Sequence, residues 1–144
     1  MIVRPMTIAD IDAIIEIQNG VFSDAWNKDM MRSAFATNRF FGFCVQDGDV
    51  VGYVSLSQNY DDADLETIFL SPKYRGKGIS NILMQSAIDE CEKKGLKGIF
   101  LEVRPSNAFA ISLYEKFGFS KISVRKKYYS DGEDCIVMKK ELEK

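Results

Sequence analysis

The stretch KYRGKGIS, residues 73–80, joins a strand-like run to a helix-like run and has the residue types of an anion-binding loop. Unpaired backbone N–H groups and the positive end of the helix dipole lie together at the amino end of a helix. Gly76 and Gly78 let a phosphate approach the main chain, and Arg75 and Lys77 add positive charge. An ordinary glycine-rich connection also fits. The spacing excludes a P-loop, which needs Gly-Lys-Ser or Gly-Lys-Thr, and a Rossmann motif, which needs a third glycine.

Two further residues have side chains that can move protons. Glu102 stands in the apolar run Gly98 to Val103, where a buried carboxylate needs a partner or a function, unless it faces solvent together with Phe100. Tyr114 lies on the apolar side of a helix-like run, where a core tyrosine with a satisfied hydroxyl is the alternative. The chain has no histidine, so any general base must be a carboxylate, a lysine, a tyrosine or a cysteine.

The elements that must position these residues follow from periodicity. A capping box at Thr7 to Asp10 predicts the first helix, and an Asp-Gly turn at residues 47 and 48 predicts a hairpin. The later pattern alternates strands and helices in an order that indicates an α+β chain, with helices on a mixed sheet rather than a doubly wound parallel sheet. Further helices are predicted from Asn27, from Ile79 to Lys94 and from about Ser106 to Lys116, and further strands over 63–70, 98–103, 119–129 and 133–140.

Composition sets the outer limits. A length of 144 residues with 46% hydrophobic and 28% charged residues predicts one globular domain, residues 1–144. Because no apolar run is long enough to span a bilayer and no secretory signal is present, we expect a cytoplasmic protein that does not bind membranes. The net charge of −2 argues against direct nucleic-acid binding. The three widely spaced cysteines are expected to be reduced and mostly buried.

Several stretches together resemble one enzyme family. Arg75-Gly76-Lys77-Gly78-Ile79-Ser80 is similar to the Arg/Gln-x-x-Gly-x-Gly/Ala signature of the GNAT acetyltransferases, with Ser80 as a small departure. Three more stretches resemble the RimI-like branch, which acetylates ribosomal-protein alanine residues: VFSDAWNKD, LEVRPSNAFAISLYEKFGF and RKKYYSDGEDCIVM. The order of elements matches over essentially the whole chain. The resemblance implies the GNAT fold, a mostly antiparallel twisted sheet of about seven strands flanked by about four helices.

The resemblance also implies roles for individual residues, with acetyl-CoA as co-substrate and no metal. Glu102 would act as general base through water and Tyr114 as general acid, although lysine-acetylating relatives carry the base on the strand that here holds Asp64 and Glu66. Trp26, unless it only anchors its loop, would form a peptide groove with Tyr128 and Tyr129. The residues implied to bind the cofactor are Ile68, Phe69, Leu70, Arg75, Gly76, Lys77, Gly78, Ile79, Ser80, Asn81 and Asn107, the last of which also fits a helix cap.

The resemblance therefore implies an enzyme that acetylates the α-amino group of a protein N-terminus, most specifically an alanine of a ribosomal protein. Two alternatives stay open. One is a GNAT enzyme that acts on lysine or on a small-molecule amine. The other is a non-catalytic CoA-binding module, against which the presence of Glu102, Tyr114, Asn107 and the glycine loop argues.

Overall fold

The computed structural model describes residues 1–18 and 27–143. Within them a seven-stranded sheet runs in the order β1-β2-β3-β4-β5-β7-β6. Every neighbouring pair is antiparallel except β4 and β5, which are parallel. The predicted mixed sheet of about seven strands with about four helices is therefore confirmed. The strands are β1 (Ile2–Pro5), β2 (Phe40–Asp47), β3 (Asp49–Asn59), β4 (Asp62–Leu70), β5 (Gly98–Val103), β6 (Ser120–Arg125) and β7 (Cys135–Glu141).

Among the described residues, four α-helices cover the two faces of the sheet. They are α1 (Ile11–Gln18), α2 (Lys28–Phe35), α3 (Ile79–Lys93) and α4 (Ala108–Lys116), with 3-10 turns at Ile8–Asp10 and Pro72–Tyr74. Apolar residues of α1 and α2 pack in one core cluster, and those of α3 and α4 pack in the other. No helix in the part of the chain that the structure describes is both long and apolar enough to cross a bilayer.

Local signals in the sequence explain where several elements begin and end. The Asn27 side chain accepts a hydrogen bond from the backbone N–H of Met30 and caps α2, as its residue type predicts. Gly48 has a φ of 75° in the turn between β2 and β3, and Gly95 has a φ of 74° after α3. Residues other than glycine rarely adopt these backbone angles. The capping signal at Thr7 opens a 3-10 turn, and the α-helix follows only from Ile11.

The end of the chain differs from the prediction. The strand predicted over residues 119–129 ends at Arg125, and Lys127 has a φ of 48°, which is incompatible with a strand. The carboxylate of Asp134 accepts the Lys127 backbone N–H at 2.9 Å and holds this bend. Tyr128 and Tyr129 therefore lie in the loop between β6 and β7, which turns toward the face that carries Glu102.

Candidate active site

A cleft of about 600 Å³ opens where β4 and β5 separate. The two strands pair only from Asp62 with Gly98 to Leu65 with Leu101, although β4 continues to Leu70. Beyond that point β5 keeps its pairing with β7 on its other side. The gap between the parallel strands lets side chains from both faces of the sheet reach one cavity.

In the second half of β4, one edge of the main chain faces the gap between β4 and β5. A bulge at Glu66 shifts the register with β3, since Leu65 pairs with Leu56 and Thr67 with Ser55. From Glu66 to Leu70 the strand has β3 on one edge and no strand partner on the other within the described residues. Ile68 lines the cleft, whereas the Phe69 and Leu70 side chains are buried. An extended ligand could therefore pair with this edge.

Glu102 lies in the cleft with its carboxylate held by two donors. Arg125 Nη1 donates to Glu102 Oε2 at 2.8 Å, and the Tyr128 hydroxyl donates to Oε1 at 3.2 Å. The side chain is 38% exposed, so the carboxylate is neither enclosed in the core nor fully solvated. Each oxygen keeps acceptor capacity for a further donor such as water. The geometry fits a base that acts on a group entering the cleft.

Two more carboxylates line the same cleft. Asp64 lies opposite Phe100 in the β4–β5 register and therefore on the face of the sheet that carries Glu102. Burial raises the pKa of Asp64, and the negative charges of Glu102 and Asp62 raise it further. Partial burial likewise raises the pKa of the Glu66 carboxyl, with Asp64 and Glu102 adding to the effect. The cleft thus holds three acidic groups that repel one another.

Tyr114 reaches the cleft from α4 on the opposite face of the sheet. Its side chain is buried, with 6% exposure, and its ring lies 5.9 Å from that of Phe119. The hydroxyl forms no hydrogen bond to any residue that the structure describes, yet the residue lines the cavity that holds Glu102. Burial raises the pKa of Tyr114 to about 12, so the hydroxyl stays protonated near neutral pH.

A second, smaller cleft of about 260 Å³ adjoins the glycine loop. Gly76 and Gly78 have φ values of 77° and 79°, and Gly78 is the N-cap residue of α3. A Cβ on Gly76 would meet no atom within 4 Å, so glycine is needed there for the backbone angle rather than for lack of space. The smaller cleft is lined by Leu70, Gly76, Gly78, Ile79, Ser80, Asn81, Phe109, Ser112, Leu113 and Lys116.

The basic residues of the loop are placed differently from one another. Arg75 Nε donates to the carbonyl of Leu70 at 3.0 Å, and its guanidinium lies 5.6 Å from the Phe69 ring centre, so Arg75 ties the loop to the end of β4. Lys77 Nζ lies 5.8 Å from the ring centre of Tyr74, and Lys77 does not line the smaller cleft. The buried Ile79 anchors the first turn of α3.

Asn107 and Asn81 each line one of the two clefts and also form a hydrogen bond with α4. The Asn107 Oδ1 accepts the Ala110 backbone N–H at 3.1 Å, so it caps α4, and the residue also lines the larger cleft. Asn81 Oδ1 accepts a hydrogen bond from Lys116 Nζ at 3.2 Å, which links α3 to α4 beside the smaller cleft. Helix α4 borders both cavities along its length.

The structure describes two of the three residues that were predicted to form the peptide groove, Tyr128 and Tyr129. Tyr129 lines the cleft, and the rings of Tyr128 and Tyr129 meet edge to face at 5.1 Å between centroids. The guanidinium of Arg104 stacks 3.9 Å from the Tyr129 ring centre. Trp26, the third predicted groove residue, lies outside the described residues.

Sequence reasoning missed two arginines at the cleft. Arg104 Nη1 bridges Asp131 Oδ2 at 2.8 Å and Glu133 Oε1 at 3.0 Å, which clamps the β6–β7 loop against the start of α4. The acidic turn Asp131-Gly-Glu-Asp favours a cation nearby and is the signal by which Arg104 could have been found. Arg125 had no such signal, since nothing in the sequence pattern places it beside Glu102.

Comparisons with known proteins agree with this geometry. The model of the "Acetyltransferase (GNAT) family" matches residues 11–119. The chain is 37% identical over 139 residues to a protein of Bacillus subtilis (strain 168) provisionally named a ribosomal protein bS18-alanine N-acetyltransferase, covering 94% of this chain and 92% of that one. It is 34% identical over 143 residues to the ribosomal protein bS18-alanine N-acetyltransferase of Escherichia coli (strain K12), covering 94% of each chain.

A solved structure shows the same architecture. The crystal structure of the ribosomal-protein-S18-alanine N-acetyltransferase from Escherichia coli superimposes with a TM-score of 0.90 at 31% identity, covering 99% of this chain and 94% of that one. This agreement covers the seven-stranded sheet with its separated β4 and β5 and the glycine loop at the start of α3. The sequence similarity extends along nearly the full length and indicates the same family. The chain belongs to the GNAT family of acetyltransferases.

Proposed function

We propose that this acetyltransferase moves the acetyl group of acetyl-CoA to the α-amino group of the N-terminal alanine of ribosomal protein bS18. One observation supports it above the others: Glu102 and Tyr114, from opposite faces of the sheet, line one cleft, and β4 and α4 contribute to the lining of both that cleft and the smaller one at the glycine loop. Relatives named for this reaction match the chain at 34 to 37% identity over most of its length. A ribosomal acceptor would place the reaction in the cytoplasm.

The residues present fit acetyl-CoA, which supplies an activated acetyl thioester. The open N–H groups at Gly76, Gly78 and the start of α3 suit its pyrophosphate, because a helix N-terminus attracts anions. The free edge of β4 around Ile68 suits the amide groups of its pantetheine arm, and Asn107 borders the same path. Residues 66–70 and α4 contribute to the linings of both cavities, so a cofactor that ran from the glycine loop to Glu102 would follow these two elements.

Glu102 is proposed to accept the proton that the amine loses, through one water molecule. Both of its oxygens already accept one hydrogen bond, and each has a second lone pair for that water. A protein α-amino group has a pKa of about 7.7 to 8.0, so a substantial fraction is neutral near pH 7.5, whereas lysine at about 10.4 is almost fully protonated. A single solvated carboxylate is therefore sufficient for an N-terminal acceptor, in a chain without histidine.

Tyr114 is proposed to protonate the departing sulfur. With its pKa raised to about 12 by burial, the hydroxyl is a donor at working pH. Full proton transfer to a thiolate of ordinary pKa, about 8.5, would be uphill. A sulfur held in the same buried position is desolvated as well, which raises its pKa toward that of the tyrosine. The hydroxyl would therefore stabilise charge at the sulfur as the bond breaks and give up its proton as the charge forms.

Replacing Glu102 by glutamine tests the proposal. Glu102→Gln keeps the size of the side chain and should lower turnover with an N-terminal alanine peptide by about 10² or more, with acetyl-CoA affinity retained. Activity should recover partly at high pH, because the amine then loses its proton without help. Steady-state rates between pH 6 and 10, with acetyl-CoA binding by calorimetry, measure both. A loss of less than about tenfold would show that the base lies elsewhere.

A second acceptor class has one observation in its favour. Asp64 and Glu66 bring two further carboxylates with raised pKa into the cleft, and such groups suit an acceptor that arrives as a strongly basic amine, such as lysine or a small-molecule amine. If this class is the true one, Asp64→Asn and Glu66→Gln should each reduce turnover more than Glu102→Gln does. With an alanine N-terminus as substrate, Glu102→Gln should have the largest effect of the three.

A further inference from the structure

A one-residue bulge in β6 decides which side of the sheet Arg125 occupies. Lys121 pairs with Met138 of β7, but the next pair is Ser123 with Val137, so Ile122 is the extra residue. After the bulge, Val124 pairs with Ile136 and Arg125 with Cys135. Side chains of a strand alternate between the two faces, and an inserted residue reverses that alternation for everything that follows.

The reversal places Arg125 on the face of Glu102. Glu102 pairs with Val137, which pairs in turn with Ser123, so these three residues share one face. Arg125 lies two residues after Ser123 and shares that face as well. Without the extra residue, Val124 would occupy this position and Arg125 would project from the opposite face, toward the side of α3 and α4. The 2.8 Å contact between Arg125 Nη1 and Glu102 Oε2 therefore depends on the bulge.

We propose that Arg125 is a positioning residue, held on the active-site face by the bulge at Ile122, that orients the Glu102 carboxylate for proton transfer. The inference rests on the proposed role of Glu102. Arg125 donates a hydrogen bond to one carboxylate oxygen of Glu102, and the Tyr128 hydroxyl donates one to the other. These two hydrogen bonds together define the orientation of the carboxyl plane. The guanidinium also lies 5.5 Å from the ring centre of Tyr128, which couples the two donors.

The surroundings of Glu102 explain why a cation is needed there. Asp64 and Glu66 approach from β4 with the same sign of charge as Glu102. The nearby Arg104 is engaged by Asp131 and Glu133, so its charge is already balanced. Arg125 is the cation that forms an ion pair with Glu102 among the described residues. It offsets the repulsion among the three carboxylates and fixes where the proton acceptor points.

Kinetics of four variants test the inference. Arg125→Gln should lower kcat about tenfold with KM for acetyl-CoA and peptide nearly unchanged, because orientation of the base matters in the transition state rather than in binding. Arg125→Lys should recover most of that loss, since an ammonium can still reach one carboxylate oxygen. In a Glu102→Gln background, Arg125→Gln should cause no further loss, because a residue that acts through Glu102 has nothing left to orient.

Lys121→Gln is the matched control, since it removes the same charge from the same strand ahead of the bulge and should leave kcat unchanged. Thermal unfolding of all variants checks that the sheet is intact. A normal kcat in Arg125→Gln, a change confined to the peptide KM, or an additive loss in the Glu102→Gln background would each overturn the inference. If Glu102→Gln itself stays active, the proposed role of Glu102 fails first. If it is inactive and Arg125→Gln is normal, only the inference fails.

Discussion

At the scale of the residue, the Tyr114 ring is buried, but its hydroxyl oxygen reaches the cleft and has no hydrogen-bond partner in the part of the chain that the structure describes. No side-chain oxygen or nitrogen of the described residues is both buried and unpaired, an arrangement that would cost free energy, so the Tyr114 oxygen is open to the cleft. The ring packs beside Phe119, but the oxygen adjoins the cleft. Water or a ligand atom in the cleft can serve as its partner, and access to the cleft is what a proton donor to a bound substrate requires.

The variant Tyr114→Phe separates the two roles by removing one oxygen. Because that oxygen has no described protein partner, the free energy of unfolding should change by less than about 1 kcal/mol. Turnover should fall by about 10² or more if the hydroxyl protonates the leaving sulfur. Tyr60→Phe is the control, since Tyr60 is 89% exposed and does not line either cleft. Tyr114→Phe with turnover within threefold of the parent would return Tyr114 to a packing role.

At the scale of the element, the turn before α3 gains its charge preference from its backbone shape. Gly76 and Gly78 both have positive φ, and Gly78 caps α3 without a side chain that could occupy the free N–H groups. Arg75 ties the loop to Leu70, so the positive end of the helix is fixed relative to the free edge of β4. The loop and the edge together define the path that acetyl-CoA is proposed to follow.

Substitution at Gly78 by an isosteric pair should reveal the charge preference of this turn. Asn and Asp both tolerate positive φ, so Gly78→Asn and Gly78→Asp should fold alike. Both side chains can cap the free N–H groups and compete with pyrophosphate, but only Asp repels it. Calorimetry should therefore show a loss of CoA affinity in both variants, about tenfold larger for Asp. Equal affinities in the two variants would contradict anion binding at this turn.

The sequence predicted most elements of the fold, and the reasons for the exceptions are physical. The strand Gly98–Val103 is a local signal and was predicted with its observed bounds, and the helix predicted from Asn27 begins one residue later, with Asn27 as its cap. The separation of β4 from β5 and the bulge at Ile122 are set by pairing with distant strands, and no local pattern encodes them. Glu102 was therefore a candidate from sequence, whereas its partner Arg125 emerged only with the register.

At the scale of the whole molecule, two aspartates make opposite contributions to stability. The Arg4 guanidinium donates hydrogen bonds to Asp10 at 2.8 and 3.0 Å and is the main reason why the pKa of Asp10 is lowered. Stability from Asp10 is therefore present above its ordinary pKa and lost as pH falls through the lowered value. The pKa of Asp64 is raised by burial, so its contribution is present at low pH and lost as pH rises through the raised value.

Urea unfolding between pH 3 and 7 should show the two effects separately. Asp10→Asn should lower the free energy of unfolding at pH 7 by roughly 1.5 kcal/mol, the cost of losing a hydrogen bond to a charged group in a partly buried pair, and the cost should shrink toward pH 3. Asp64→Asn should raise stability at pH 7 and have little effect at pH 3, because it removes an unfavourable charge from the cleft. A destabilised Asp64→Asn variant at pH 7 would contradict the claim that the ionised Asp64 carboxylate lowers the free energy of unfolding.

The rate of acetyl transfer to a short peptide with the N-terminal sequence of bS18, starting at alanine, tests the central claim most directly. The same peptide with a formylated N-terminus and an internal lysine is the matched control. We predict saturable, acetyl-CoA-dependent acetylation at the α-amino group of the free peptide, shown by mass spectrometry, and none on the formylated one. Acetylation of the lysine in the formylated peptide at a comparable rate, or no transfer to the free N-terminus, would contradict the account.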